Sequence, residues 1–474
     1  MTDLPPPPDP VPVAYRREIA PPKFVTGSIL RHILVMTGAG AIGLMAIFVG
    51  DLANIYFLSL SNDQAVVAAV GYASSILFFS TSIGIGLSIA AMAMVSPALG
   101  AGLRARARRL SVHAHVLTFL ISALLSIILW FAIEWLLTLV GATGEAHRLA
   151  TLYLMILIPT LPMLALGMTS MSVLRSVGDA RRAMNVTLYG AVVNTVLDAV
   201  LILYLDWGIM GAALASVVAR CAVMAIGLYG VIRVHDLMGR PKMATLAADA
   251  PAFSNIALPA VLTNIATPAG NAYVTMALAA FGDGAVAGWA IVGRIIPVAF
   301  GAIYALSGSV GPILGQNFGA RKVDRMREVY TVSLFVMTAF TAVAWIVMAV
   351  FAEPLASAFK ADGDARDLIV YFCRWLSPLF VFLGALFVAN AVFNTLGRAH
   401  YSTLFNWARA TVGTIPFVIA GAKLGGASGI LAGNMIGGVV FGIAAVAAGY
   451  RLIGSLGATL RNDENNLDRG APRS

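Results

Sequence analysis

Long apolar runs separated by short polar breaks organise this sequence. A membrane-spanning helix needs about 20 mostly apolar residues. Twelve stretches meet that need, near 30–60, 63–99, 110–140, 146–173, 184–205, 208–232, 252–281, 285–317, 328–357, 365–396, 402–423 and 428–452. Several exceed the minimum, which predicts tilted or bent helices. Pro97, Pro162, Pro259, Pro268, Pro297, Pro312, Pro378 and Pro416 fall in or beside them. Membrane helices tolerate such prolines because neighbours re-satisfy the freed backbone groups. The pattern predicts an all-α integral membrane protein with twelve transmembrane helices.

The polar breaks carry their charge unevenly. Alternate breaks, together with both chain ends, hold 23 Lys and Arg residues, including Arg104, Arg106, Arg108 and Arg109 in one break and Arg321, Lys322, Arg325 and Arg327 in another. The remaining breaks hold four, Arg148, Lys360, Arg366 and Lys423. Cytoplasmic loops are the basic ones, so both termini are expected in the cytoplasm. A missed helix would have mixed the two sets.

Composition agrees. Of 474 residues, 59% are hydrophobic and 11% charged, against about 25% charged in an average soluble domain. The net charge of +9 is spread over short loops. It does not form the basic domain that nucleic acid requires, and no nucleic-acid partner is expected. Cys221 and Cys373 lie in different apolar runs and read as small buried hydrophobes. The proline-rich residues 1–28 lack the apolar core of a signal peptide. They read as a disordered tail, as do 455–474.

The chain also resembles itself. A shift of 218 to 220 residues places Asp63 on Asp283 and Gly100-Ala101 on Gly319-Ala320. It likewise places Gly178 on Gly397, and Gly208 and Gly211 on Gly426 and Gly429. With six helices per half, the second half enters from the same side as the first. The repeats are then parallel, related by an axis along the membrane normal. The expected organisation is a six-helix lobe at 29–233, a cytoplasmic linker at 234–251 and a second lobe at 252–454, with a cavity between the lobes.

Several segments carry a family resemblance. They are Ala68-Ala69-Val70-Gly71, Val95-Ser96-Pro97-Ala98-Leu99-Gly100-Ala101 and its repeat partner Leu314-Gly315-Gln316-Asn317-Phe318-Gly319-Ala320. Further on come Leu174-Arg175-Ser176-Val177-Gly178-Asp179 and the run from Gly208 to Ser216. In this order, and duplicated, they resemble the multidrug and toxic compound extrusion (MATE) transporters over roughly residues 25 to 455. The resemblance implies a monomeric exporter of small organic compounds in a bacterial inner membrane. It implies a proton or sodium gradient as energy source and no cofactor. No P-loop pattern for ATP is present.

Ionisable groups inside a membrane are expensive and are functional candidates by default. Asp51 and Asp198 are the acids near mid-helix. Asn194 and Asp198, at i and i+4, share a helix face. A carboxylate with an amide oxygen can hold a proton or a sodium ion, or it can tie helices together by hydrogen bonds. The resemblance, closest to the DinF-like branch, makes the pair part of a cation site with Ser216 beside it. It aligns Asn54 with the family's first-helix acid, and Asp51 stands one turn earlier. In the second half Asn271 matches Asp51, while Asn390 and Asn394 of the tenth helix are uncharged. Cation coupling is therefore expected in the first half. Arg220, Arg294, Arg374 and Arg409 also fall within spans. Tyr56, Asn271, Trp289, Arg294 and Asn390 are candidates to line the substrate cavity. An Arg294 facing that cavity would favour acidic or zwitterionic substrates; paired with a carboxylate or carbonyl, it would be structural.

Two other readings compete. A lipid-linked oligosaccharide flippase of the same superfamily would show more helices or a more cationic cavity. An integral membrane lipid-modifying enzyme would need a cluster of metal ligands or acids at one face, and the six histidines are scattered. The loop charges yield a direct test of topology. In intact cells, a cysteine at Lys360 should react with an impermeant maleimide and one at Lys242 should not; the reverse result would invert the orientation.

Overall fold

The computed structural model describes residues 22–59 and 64–470, without the side chains of 55, 59 and 461–470. The first half contains α1 (Ile29–Ser59), α2 (Gln64–Gly100), α3 (Arg104–Leu139), α4 (Gly144–Val177), α5 (Ala180–Tyr204) and α6 (Gly208–Val234). The second contains α7 (Met243–Ala279), α8 (Asp283–Ala299 and Gly301–Gly319), α9 (Val323–Val350) and α10 (Gly363–Thr395). The two parts of α8 meet at a 51° bend. Pro297, which cannot donate to the helical ladder, sits just ahead of that bend.

The segment after α10 is helical over 62 residues, which at 1.5 Å per residue would be far longer than a bilayer about 30 Å thick. It is two helices. Gly425 and Gly426 leave the helical region, Gly426 with φ of 59°. A Cβ on Gly421 would overlap the Gly429 carbonyl, and one on Gly437 would overlap that of Gly413. The chain therefore doubles back as an antiparallel hairpin of α11 (399–425) and α12 (427–470). This completes the expected twelve spans in two six-helix halves.

The backbone repeats as well. Left-handed turn residues recur at a spacing of 219: Gly102 and Arg321, Gly141 and Lys360, Gly144 and Gly363, Gly178 and Gly397. Gly208 and Gly426 follow at 218. The short 3-10 turn Ile158–Thr160 inside α4, with Pro159, recurs as Ser377–Leu379 inside α10, with Pro378. Asp63, matched above with Asp283, lies outside the described residues.

The halves meet along a seam made of reciprocal contacts. A Cβ on Gly100 would overlap the Gln316 carbonyl, and one on Gly319 would overlap the Pro97 carbonyl. The pairs 100/316 and 319/97 exchange under the 219-residue shift, as a two-fold axis requires. Farther along, Gly86 lies against Val261 and Ala305 against Gly40, a pair related by the same exchange to within two residues. The seam lies at the end of the bundle that carries the basic loops.

Three boundaries differ from expectation. The tail expected to 28 is in place from residue 22. Phe24 is buried, its amide donates to Gln316 Oε1 at 2.8 Å and its carbonyl accepts from Asn317 Nδ2 and Arg325. Lys23 Nζ reaches the Gly178 carbonyl of the first half, and Lys322 Nζ the Val25 carbonyl. Residues 23–27 thus strap the two halves across the seam. Phe24 buries its ring there, which sequence composition around it conceals. Second, the linker expected at 234–251 is shorter, because α7 starts at Met243. His113 of α3 and Arg109 hold Asp249 and order that turn. Third, α12 continues past 455 to Gly470.

Lys360 takes a left-handed conformation, with φ of 50°, where the first half has Gly141. Such a conformation costs a side-chain-bearing residue about 1 kcal/mol or more. Lys360→Gly should therefore stabilise the protein by up to about 1 kcal/mol. Thermal unfolding in detergent measures this, and a lower Tm would contradict the repeat-based reading of the turn.

Candidate functional site: a buried carboxylate beside an open cleft

Below the seam the halves touch; towards the other end they diverge. Gly40 of α1 meets Ala305 of α8, and Gly301 still lies against Met45 and Phe48. Higher on α1, the nearest neighbours of a Cβ on Gly50 would be Thr195 and Ala191 of its own half. On α8, a Cβ on Gly293 would meet nothing within 4 Å. Arg294, next to Gly293 and ahead of the bend in α8, is exposed.

The packing of α1 on α5 builds the site. The side of α1 formed by Gly43 and Gly50 lets α5 approach closely at Thr187 and Ala191. One turn farther on, this side presents Asn54 to Asp198. Asn54 Nδ2 donates to Asp198 Oδ2 at 2.9 Å, and Asn194 Nδ2 donates to the same oxygen at 2.6 Å. Asp198 is fully buried, and its Oδ1 has no hydrogen-bond partner. Directly after it the helix widens into a π-turn, Ala199–Tyr204, a distortion frequent at functional sites.

Ser216 does not touch this carboxylate. It hydrogen-bonds Tyr153 of α4, whose ring is near enough to Asp198, Asp51 and Arg220 to feel their charge. Arg220 in turn repairs a break in α4. Pro162 lacks an N–H, which frees the Ile158 carbonyl, and Ser126 Oγ donates to it at 2.7 Å. The 3-10 turn draws the Leu161 amide to Ile158, which frees Leu157. Arg220 donates to the Leu157 carbonyl at 2.8 Å and to Thr160 Oγ1 at 2.7 Å. Tyr153 and Arg220 complete a polar layer from α1 to α6.

The structure thus joins Asn54, Asn194 and Asp198 directly and attaches Ser216 through Tyr153. Asp51 is exposed on the neighbouring turn of α1. Of the cavity candidates, Tyr56, Asn271 and Arg294 are exposed. Two are not cavity residues. Trp289 is 7% exposed in the apolar core of the second half, where Gly288 lets α8 close on Ala365. Asn390 is buried and accepts from Asn406 Nδ2 at 3.0 Å; a buried amide finds partners inside its own lobe. Arg374 pairs with Glu353 near the open end. Sequence reading missed Tyr153, since an aromatic within an apolar run carries no distinguishing mark. Arg220 was visible, but its partners were not.

This fold and site define a two-lobe membrane transporter with an acidic centre in one lobe. The MatE family matches residues 39–200 and again 259–420, more than half of the chain in two blocks 220 residues apart. The chain belongs to the MATE family of multi-pass membrane transporters and is not an enzyme. Members take small-molecule substrates and draw on an ion gradient without a cofactor. The chain is similar to the FAD transporter of Shewanella oneidensis, at 28% identity over 92% of this chain and 98% of that one. It is similar to the multidrug export protein MepA of Staphylococcus saprophyticus, at 21% identity over 90% and 95%. The crystal structure of a mutant of the Vibrio cholerae MATE transporter VcmN matches with a TM-score of 0.85. That match has 25% identity and covers 90% of this chain and 97% of that one.

Arg220→Met removes the donor for a buried carbonyl and hydroxyl. The expected loss is about 1–3 kcal/mol, read as a lower unfolding temperature. An unchanged temperature would show that water replaces the guanidinium at the α4 break.

Proposed function

We propose that the protein is a monomeric exporter of the bacterial inner membrane that exchanges inward protons for outward-moving organic compounds. The observation that carries this is the Asp198 carboxylate, fully buried with one oxygen bare. An isolated charge in a dry interior is costly. A proton on Oδ1 removes that cost. A sodium ion needs several oxygen ligands, whereas Asn54 and Asn194 turn N–H groups towards the carboxylate. Both amides would have to turn round to serve sodium. This favours the proton.

The basic loops support a cytoplasmic position for the seam, and with it a cleft that opens outward. In that state a proton from outside reaches Asp51 and then Asp198, whose bond to Asn54 joins α5 to α1. Protonation changes that bond and the packing of α1 on α5. Substrate leaves from the cleft, and the lobes rock to expose it to the cytoplasm, where the proton departs. The named relatives are an FAD transporter and a multidrug export protein, and organic cargo for this chain accords with both.

Asp198→Asn should abolish gradient-driven export by protein that still folds and reaches the membrane. Asp51→Asn should slow it less. The assay is uptake or release by proteoliposomes, with proton and sodium gradients imposed separately. Wild-type rates for Asp198→Asn under both gradients would remove Asp198 from the coupling step.

A further inference from the structure

The second lobe holds a charge that the coupling site does not use. Arg409 lies in α11, ten residues from the start of a helix that begins at the seam end. At 1.5 Å per residue this is about 15 Å deep, near mid-bilayer. It is 7% exposed. Its Nη2 donates to Thr267 Oγ1 of α7 at 2.9 Å, and its Nε has no partner. No carboxylate pairs with it among the described residues. The sequence explains why: between Ala252 and Gly454 every acid, from Asp283 to Asp367, lies at or near a helix end. The neighbours of Arg409 include two neutral polar groups, Tyr304 of α8 and Thr267.

A buried ion without a counter-ion is expensive. If the guanidinium served only to join α7 to α11, a neutral donor would do so at lower cost. Gly270 already brings the two helices together at Ala410. Asn271, one turn beyond Thr267, and Arg294 of α8 are both exposed. The ionisable groups within the spans of the second lobe are thus cationic, while the first lobe holds Asp51 and the buried Asp198.

We propose that Arg409, with Thr267 and Tyr304, is an anion subsite that takes the phosphate or carboxylate of an amphipathic organic anion moving through the cleft. The planar guanidinium suits such oxygens because it donates two parallel hydrogen bonds. The subsite rests on the exporter reading for its purpose, but its binding can be measured without transport.

The test uses full-length protein in phosphatidylcholine nanodiscs and two flavins with the same ring system, flavin mononucleotide and riboflavin. Fluorescence quenching gives Kd. Flavin mononucleotide should bind more tightly than riboflavin, and inorganic phosphate should compete with it. Arg409→Gln should weaken flavin mononucleotide at least about tenfold and leave riboflavin within twofold. Arg409→Lys should recover part of the loss. Equal weakening of both flavins would show a structural role and overturn the proposal, as would equal wild-type affinities. Displacement of the nucleotide by added phosphatidylglycerol, with phosphate ineffective, would make a lipid headgroup the occupant and also overturn it. Proteoliposomes loaded with ethidium separate the two readings. Ethidium export without the flavin preference leaves the exporter standing and removes the subsite. The flavin preference without export of any probe does the opposite.

Discussion

Everything in this molecule is arranged around one close contact: two repeat-related helices touching backbone to backbone where Gly100 meets residue 316 and Gly319 meets residue 97. A two-fold relation forces the same surface to serve both partners, and only a residue without a side chain fits there. The consequence is a seam held by glycine contacts and a few polar bonds, among them Gln316 Nε2 to the Ser176 carbonyl at 2.7 Å. Apart from the buried ring of Phe24, the contacts that hold it are small or polar. The close approaches gather towards one end, and the cleft lies at the other.

Within that frame the lobes have lost their chemical symmetry while keeping their backbone symmetry. Turns, breaks and left-handed residues recur at a fixed spacing, yet the buried carboxylate has no counterpart in the second lobe. There the equivalent polar interior is made of amides and hydroxyls, such as Asn390, Asn406, Ser402 and Asn394, with Arg409 as its charge. A duplicated scaffold thus holds charges of opposite sign in the interiors of its two lobes.

Much of this was legible in the sequence. Span number follows from apolar length and loop charge, and the repeat from glycines that the turns require. The Asn194–Asp198 pair follows from helical spacing. Side-chain facing was harder to read. In a soluble helix the polar face marks the outside, but here lipid and protein interior are both apolar. Trp289 therefore read as a cavity residue although it is core. Tyr153 gave no signal, and Asn54 showed its contact with Asp198 only once Gly43 and Gly50 had fixed how α1 lies on α5. Phe24 was hidden because a single aromatic in a proline-rich stretch has no periodicity, and its partners lie about 290 residues away.

That separation has a consequence for assembly. The strap of residues 23–27 is made first and its partners, Gln316 to Arg325, emerge 292 to 301 residues later. At about 5–20 residues per second, the ribosome needs roughly 15 to 60 seconds to supply them. Throughout that interval the first lobe stands in the bilayer with Phe24 and its backbone groups unclaimed. Docking of the strap is thus a late event, available only when the second lobe has threaded at least its eighth helix in the right orientation. The strap thus reports whether residues made about 300 positions later have arrived correctly.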